Sequence, residues 1–135
     1  MQWKEEYSIG IPEIDADHRR LADCLTEIEQ AVAEGGRGAI VHFALAQLIS
    51  ISSVHFDIEE SLMKIQRYPQ VDDHTAGHGA FLQRLETIEE NFLAEPLSSE
   101  SVQFLKVWLE EHFTAEDKDY ASYLSQRDGT LDRDD

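Results

Sequence analysis

Turn-forming residues divide this chain in a way that constrains its fold more than any other feature. Gly10 with Pro12, Gly35-Gly36 with Gly38, Pro69, Pro96 and Gly129 act as punctuation. The main intervals between them run to about 20–28 residues, several times the length of an ordinary strand, so they read as helices. The first, about residues 13–33, carries His18, Leu21, Leu25, Ile28 and Val32 at steps of three and four, one face of a helix. The second, about 39–66, lines up Val41, Leu45, Leu48, Ser52, His55, Glu59 and Leu62 before Arg67-Tyr68-Pro69 stops it. The third, about 72–94, lines up His74, His78, Phe81, Leu85, Ile88 and Phe92, with Asp72 or Asp73 as its cap. The fourth follows a Ser98-Ser99 cap and shows Val102, Leu105, Leu109 and His112, with Tyr120 and Leu124 beyond.

Four helices on short connections predict an all-α, up-down-up-down antiparallel four-helix bundle, because a connection of a few residues reaches only a neighbouring helix end. At 135 residues there is length for one domain. The expected division is a bundle over residues 1–125, in which 1–12 form an N-terminal arm packed across it through Trp3, Tyr7 and Ile9, and a polar tail over 126–135. An apolar content of 41% supports a core despite a net charge of -17. That charge argues against nucleic acid and anionic membrane surfaces as partners. No stretch is read as approaching the ~20 apolar residues of a membrane helix. Cys24 is the only cysteine, which removes any intrachain disulfide, and no secretory signal is legible at Met1-Gln2-Trp3-Lys4, so the expected setting is cytoplasmic. Cys24 itself reads as an inert, partly buried thiol, and His42 as a surface histidine.

The anomaly is that five of six histidines, with Glu59, occupy seams where a core should be. His55-x-x-x-Glu59 and His74-x-x-x-His78 each put two donors on one face a turn apart. In the expected topology the starts of odd helices and the ends of even ones share one end of the bundle. His18, His55, Glu59, His74, His78 and His112 then lie roughly 5–20 Å from that end and can meet in one layer. Buried without ideal partners, each would cost about 1–3 kcal/mol, and together they would rival the ~5–15 kcal/mol that stabilises a domain. A metal removes that cost, since it binds neutral imidazole and carboxylate.

These residues resemble a known family. Gly10-Ile11 with Ile14-Asp15-x-x-His18-x-x-Leu21, His55-Phe56-x-x-Glu59-Glu60-x-x-Met63, Tyr68-Pro69, His74-x-x-x-His78-x-x-Phe81 and Trp108-x-x-x-His112-x-x-x-x-Asp117 are similar to the hemerythrins in their bacterial single-domain form, from Trp3 to about Leu124. The resemblance implies two non-haem iron ions bridged by Glu59, Asp117 and a solvent oxygen. It gives His74, His78 and His112 to one iron, and His18 and His55 to the other, which keeps a vacant position for dioxygen. Helical spacing alone selects Glu116, at i+4 from His112, whereas five residues to Asp117 is an offset of about 140° on a regular helix. A local distortion such as a π-bulge would reconcile the two.

Five imidazoles and two carboxylates, with one bridging hydroxide, leave two ferrous ions at a formal charge of about +1, which disfavours highly oxidised states. The expected function is therefore reversible dioxygen binding for storage, delivery or sensing, without enzyme activity. A di-iron peroxidase or oxidase, and an iron store or scavenger, are the alternatives. Leu109 and Phe113, flanking His112, are the candidates for an apolar oxygen pocket, with core packing an equal reading for Phe113. Expected partners are dioxygen and an oxygen-consuming enzyme or redox partner, and the chain is expected to be a monomer.

Overall fold

The computed structural model describes residues 1–35, 38–92 and 95–133, of which 127–133 are described by their backbone alone. Gly36 of the expected punctuation, and Asp134 and Asp135 of the expected tail, lie outside those residues. Helix α1 spans Pro12–Ala33, α2 Ala39–Ile65, α3 Val71–Asn91 and α4 Ser99–Glu111. A π-helical turn, His112–Glu116, leads from α4 into α5, Asp117–Arg133, so the fourth rod of the bundle is α4, the turn and α5 in series. Among the described residues there is no strand. α1 packs on α2 and α4, and α2 packs on α3. Phe81 of α3 stacks on Trp108 of α4 with ring centroids 4.0 Å apart, which closes the fourth side.

The ends follow from local chemistry. Pro12 opens α1, where its missing N–H costs nothing. Asp15 anchors the arm to that first turn: it accepts from Ser8 Oγ at 2.7 Å and from the Ile9 N–H at 2.9 Å. Gly38, at φ +104°, supplies the backbone from which α2 starts. Ser98 Oγ accepts from the Ser101 N–H at 3.1 Å, as expected for the cap of α4. The cap expected for α3 is different: Gln70 precedes it without a side-chain bond, and Asp72 and Asp73 lie in the first turn, where they complement the helix dipole. Backbone helix continues to Arg133, into the segment expected as a tail.

The seams are buried much as the periodicity implies, with one exception. Leu62 is exposed and Met63 takes its place inside, because i+4 rather than i+3 from Glu59 keeps the seam pointing inward. Trp3 packs on the core, Tyr7 is buried and the Met1 amino group donates to Thr26 Oγ1 at 2.8 Å, so the arm lies along α1. His42 is exposed, and Cys24 is buried, with burial pushing its thiol pKa up. One expectation is overturned. Ala39–Ile65 is long and apolar enough to cross a membrane by length and composition, with a mean hydropathy of 1.6 in its most apolar window. Its inner face nevertheless carries His55 and Glu59 into the bundle.

Candidate metal centre

The seven residues named from the sequence meet in one layer. His18 comes from α1, His55 and Glu59 from α2, His74 and His78 from α3, His112 opens the π turn and Asp117 opens α5. None is more than 4% exposed. Their donor atoms form two overlapping groups, each with all atoms within 4.8 Å of one another: His18, His55, Glu59, His112 and Asp117, and Glu59, His74, His78 and His112. Each group is a set that could hold a cation.

The π turn decides which carboxylate joins. The Asp117 N–H donates to the His112 carbonyl, an i+5 bond, so residue 117 stands over residue 112 as i+4 would in an α-helix. Asp117 Oδ2 lies 2.9 Å from His112 Nε2 and 2.7 Å from His18 Nε2, while Oδ1 lies 3.2 Å from His74 Nε2. Glu59 divides in the same manner. Oε2 is 3.1 Å from His55 Nε2, and Oε1 is 3.2 Å from His78 Nε2, 3.7 Å from His112 Nε2 and 3.9 Å from His74 Nε2. Both carboxylates thus span the space between the histidines of α1 and α2 and those of α3.

A second set of carboxylates, whose orienting role the sequence did not indicate, holds the outer nitrogens of the imidazoles. Asp17 Oδ2 is 3.2 Å from His55 Nδ1, and Glu60 Oε2 is 2.9 Å from His78 Nδ1. Glu116 Oε2 approaches His112 Nδ1 at 3.5 Å. A proton fixed on Nδ1 leaves the Nε2 lone pair for a metal. Glu60 is visible in the sequence as the neighbour of Glu59, but its partner is on α3, which spacing within α2 cannot indicate. Ring stacking adds orientation: Phe56 lies over His78 at 3.9 Å and Trp108 over His112 at 5.0 Å, which gives Trp108 a positioning role the sequence did not supply.

Burial works against charge throughout the layer, and the groups compensate one another. Burial raises the Asp117 pKa, but His112, His18 and His74 outweigh it and hold the carboxyl well below the usual range. For Glu59, burial and Asp117 push upward, and His112, His55 and His78 bring the net shift down. His112 is raised well above the ordinary imidazole value, since Asp117 and Glu59 overcome its burial. His18 is lowered, with burial dominant. These are two carboxylates held ionised in an interior that demands positive charge beside them.

The donor set fits a cation. Both Glu59 oxygens, His78 Nε2, His112 Nε2 and Asp117 Oδ2 are buried without a hydrogen-bond partner of acceptable geometry. Unmet, such atoms cost about 1–3 kcal/mol each. They point inward together, which is what lone pairs directed at an ion do. Phe113 is fully buried, stacks on His18 at 4.3 Å and meets the Tyr7 ring at 5.5 Å, and Leu109 is fully buried on the preceding turn of α4. Outside α3 and α5, an open cavity of about 440 Å³ reaches His74 between Tyr68, Asp73, Glu116 and Tyr123.

Comparisons with known proteins agree with this layout. A family profile described as "Hemerythrin HHE cation binding domain" matches residues 9–124. A bacteriohemerythrin of Stenotrophomonas maltophilia (strain R551-3) is 31% identical over 123 residues, covering 90% of this chain and 80% of that protein. A myohemerythrin of Theromyzon tessulatum is 25% identical over 123 residues, covering 91% and 92%, and a bacteriohemerythrin of Clostridium acetobutylicum is 23% identical over 124 residues, covering 87% and 96%. The matched span runs from the arm to the far side of the π turn and contains all seven donors, and on that match the chain belongs to the hemerythrin family.

Proposed function

We propose that the seven side chains hold two non-haem iron ions, and that the protein binds dioxygen reversibly there for storage, delivery or sensing. His74, His78 and His112 would hold one ion and His18 and His55 the other, and Glu59 and Asp117, with a solvent oxygen, would be shared between them. The observation that carries this reading is the Glu59 carboxylate, with one oxygen 3.1 Å from His55 Nε2 and the other 3.2 Å from His78 Nε2. A ferrous pair would supply the two electrons that dioxygen takes up and returns.

The chain's own residues do the rest. The α1–α2 side offers two imidazoles and the other side three, so fewer protein donors would hold an ion beside His18. Phe113 and Leu109 line that side and exclude water, which would otherwise expel the reduced oxygen before it could be returned. Asp17 and Glu60 keep the protons of His55 and His78 on Nδ1. An imidazole-rich set is suited to taking up oxygen and releasing it, in contrast to the carboxylate-rich sites of other bundles. The working unit is residues 1–125, in a cytoplasmic setting, serving an oxygen-consuming enzyme or a redox partner.

The test is anaerobic reduction of the iron-loaded protein followed by air, watched by visible absorption. The expected result is a charge-transfer band that appears with air and disappears under vacuum, through several cycles. Two bound irons without that band would overturn the proposal, and rapid decay with peroxide turnover would assign the site to an enzyme.

A further inference from the structure

Helix α2 is apolar on both sides. Its inner face carries the seam and two of the donors, yet Ile40, Phe43, Val54, Ile58, Leu62 and Ile65 are 36–76% exposed on the outside. At 3.6 residues per turn these six fall within a sector of about 100° along the whole helix. The sector contains no Asp, Glu, Lys or Arg, and residues 39–56 contain none on any face. In a chain of net charge -17, with 29% charged residues, such a face is an exception that its surroundings do not explain. α1 and α3 pack on α2, and their packing leaves each of these six side chains at least 36% exposed.

We propose that this face joins two copies of the chain in an antiparallel α2–α2 homodimer. Counting an area per side chain of the order large apolar residues bury, the six exposures amount to roughly 600 Å² of apolar surface. That is at the upper limit of the largest patch on an ordinary monomer, and it is most of the ~800 Å² each partner contributes to a stable interface. Charge selects the partner. Two chains as acidic as this one repel over most of their surfaces, so they can approach only where charge is absent, and interface cores are depleted of charge in general. A membrane surface would instead require basic residues around the apolar stripe, and Lys64 alone borders it within α2.

Charge also sets the direction. Asp57, Glu60 and Lys64 all lie in the C-terminal half of α2. A parallel pairing would put each beside its own copy, whereas an antiparallel pairing about a two-fold axis near the helix centre lays them along the uncharged N-terminal half of the partner. The dimer would then brace the helix that presents His55 and Glu59.

Sedimentation equilibrium of the full, iron-loaded chain tests this. The expected mass is twice the 15.4 kDa of one chain, with dimerisation tightening between about 0.05 and about 0.5 M NaCl as the mutual repulsion is screened. Val54→Glu is expected to weaken association by about 100-fold or more, since it buries two like charges, with iron content and far-ultraviolet circular dichroism unchanged. Phe104→Glu, on the exposed side of α4, is expected to leave the dimer intact. A wild-type mass of one chain at about 100 μM, a dimer that survives Val54→Glu, or a monomer that pellets with anionic vesicles would each overturn the proposal.

Discussion

Glu116 Oε2 lies 3.5 Å from His112 Nδ1, whereas the adjacent Asp117 puts Oδ2 2.9 Å from Nε2 of the same ring. Two neighbouring carboxylates thus address opposite sides of one imidazole, and only one of them reaches the donor layer. Asp117→Ala should therefore lose the paired site, and its metal content, measured by elemental analysis, should fall to one ion or fewer per chain. Glu116→Ala and Glu60→Ala should keep two ions with affinity lower by about 10- to 100-fold, the usual effect of removing a carboxylate that orients a ligating histidine. The reverse order would overturn the assignment of Asp117. At this scale the five histidines and Glu59 were legible from residue type and seam position, and Asp117 only from the resemblance. Their orienting partners were not, because Asp17 and Glu60 each act on a different helix from their own.

The π turn is the element on which the site depends. Regular helical spacing places Glu116 in the layer, and the resemblance placed Asp117 there. The i+5 bond from Asp117 to His112 settles the geometry by inserting one residue into the turn. No local residue signals that insertion. His112-Phe113-Thr114-Ala115-Glu116 contains neither glycine nor proline. The end of α2 shows strain of another kind. Arg67 sits at φ 58°, the Tyr68 N–H donates to the Met63 carbonyl at 2.9 Å and the Arg67 N–H to the Lys64 carbonyl at 3.2 Å. This is a Schellman ending with arginine where glycine is usual. Arg67→Gly relieves a left-handed conformation that costs about 1–2 kcal/mol and gives back part of that through a looser unfolded chain. Thermal melts should show a gain of about 0.5–1 kcal/mol, or ~3 °C, with metal content unchanged.

Over the whole molecule, the layer of buried donors makes folding and metal binding one equilibrium. A ligand present at about 100 times its dissociation constant adds ~2.7 kcal/mol to stability. Removing metal by chelation should therefore lower the melting temperature by about 10 °C, and re-addition should restore it. A fall below about 3 °C would mean the layer is satisfied without an ion. The surface follows separate rules. The net charge of -17 is a single number that conceals how unevenly charge is distributed. The fold turns the uncharged stretch of α2 outward along one sector, which is the basis for the dimer proposed above.

Read alone, the sequence determined the helical class, three of the four rods to within a few residues, and the five histidines and Glu59 of the buried layer. Those properties follow from a period and from the cost of burying polar groups, and both are written along the chain. Tertiary structure decided that Met63 and not Leu62 faces inward, that Asp117 and not Glu116 enters the layer, which carboxylate holds which imidazole, and that α2 keeps an apolar face to solvent. The choice of Asp117 depends on the extra residue of the π turn and the others on the rotation of one helix against another, neither of which regular spacing within a single helix contains.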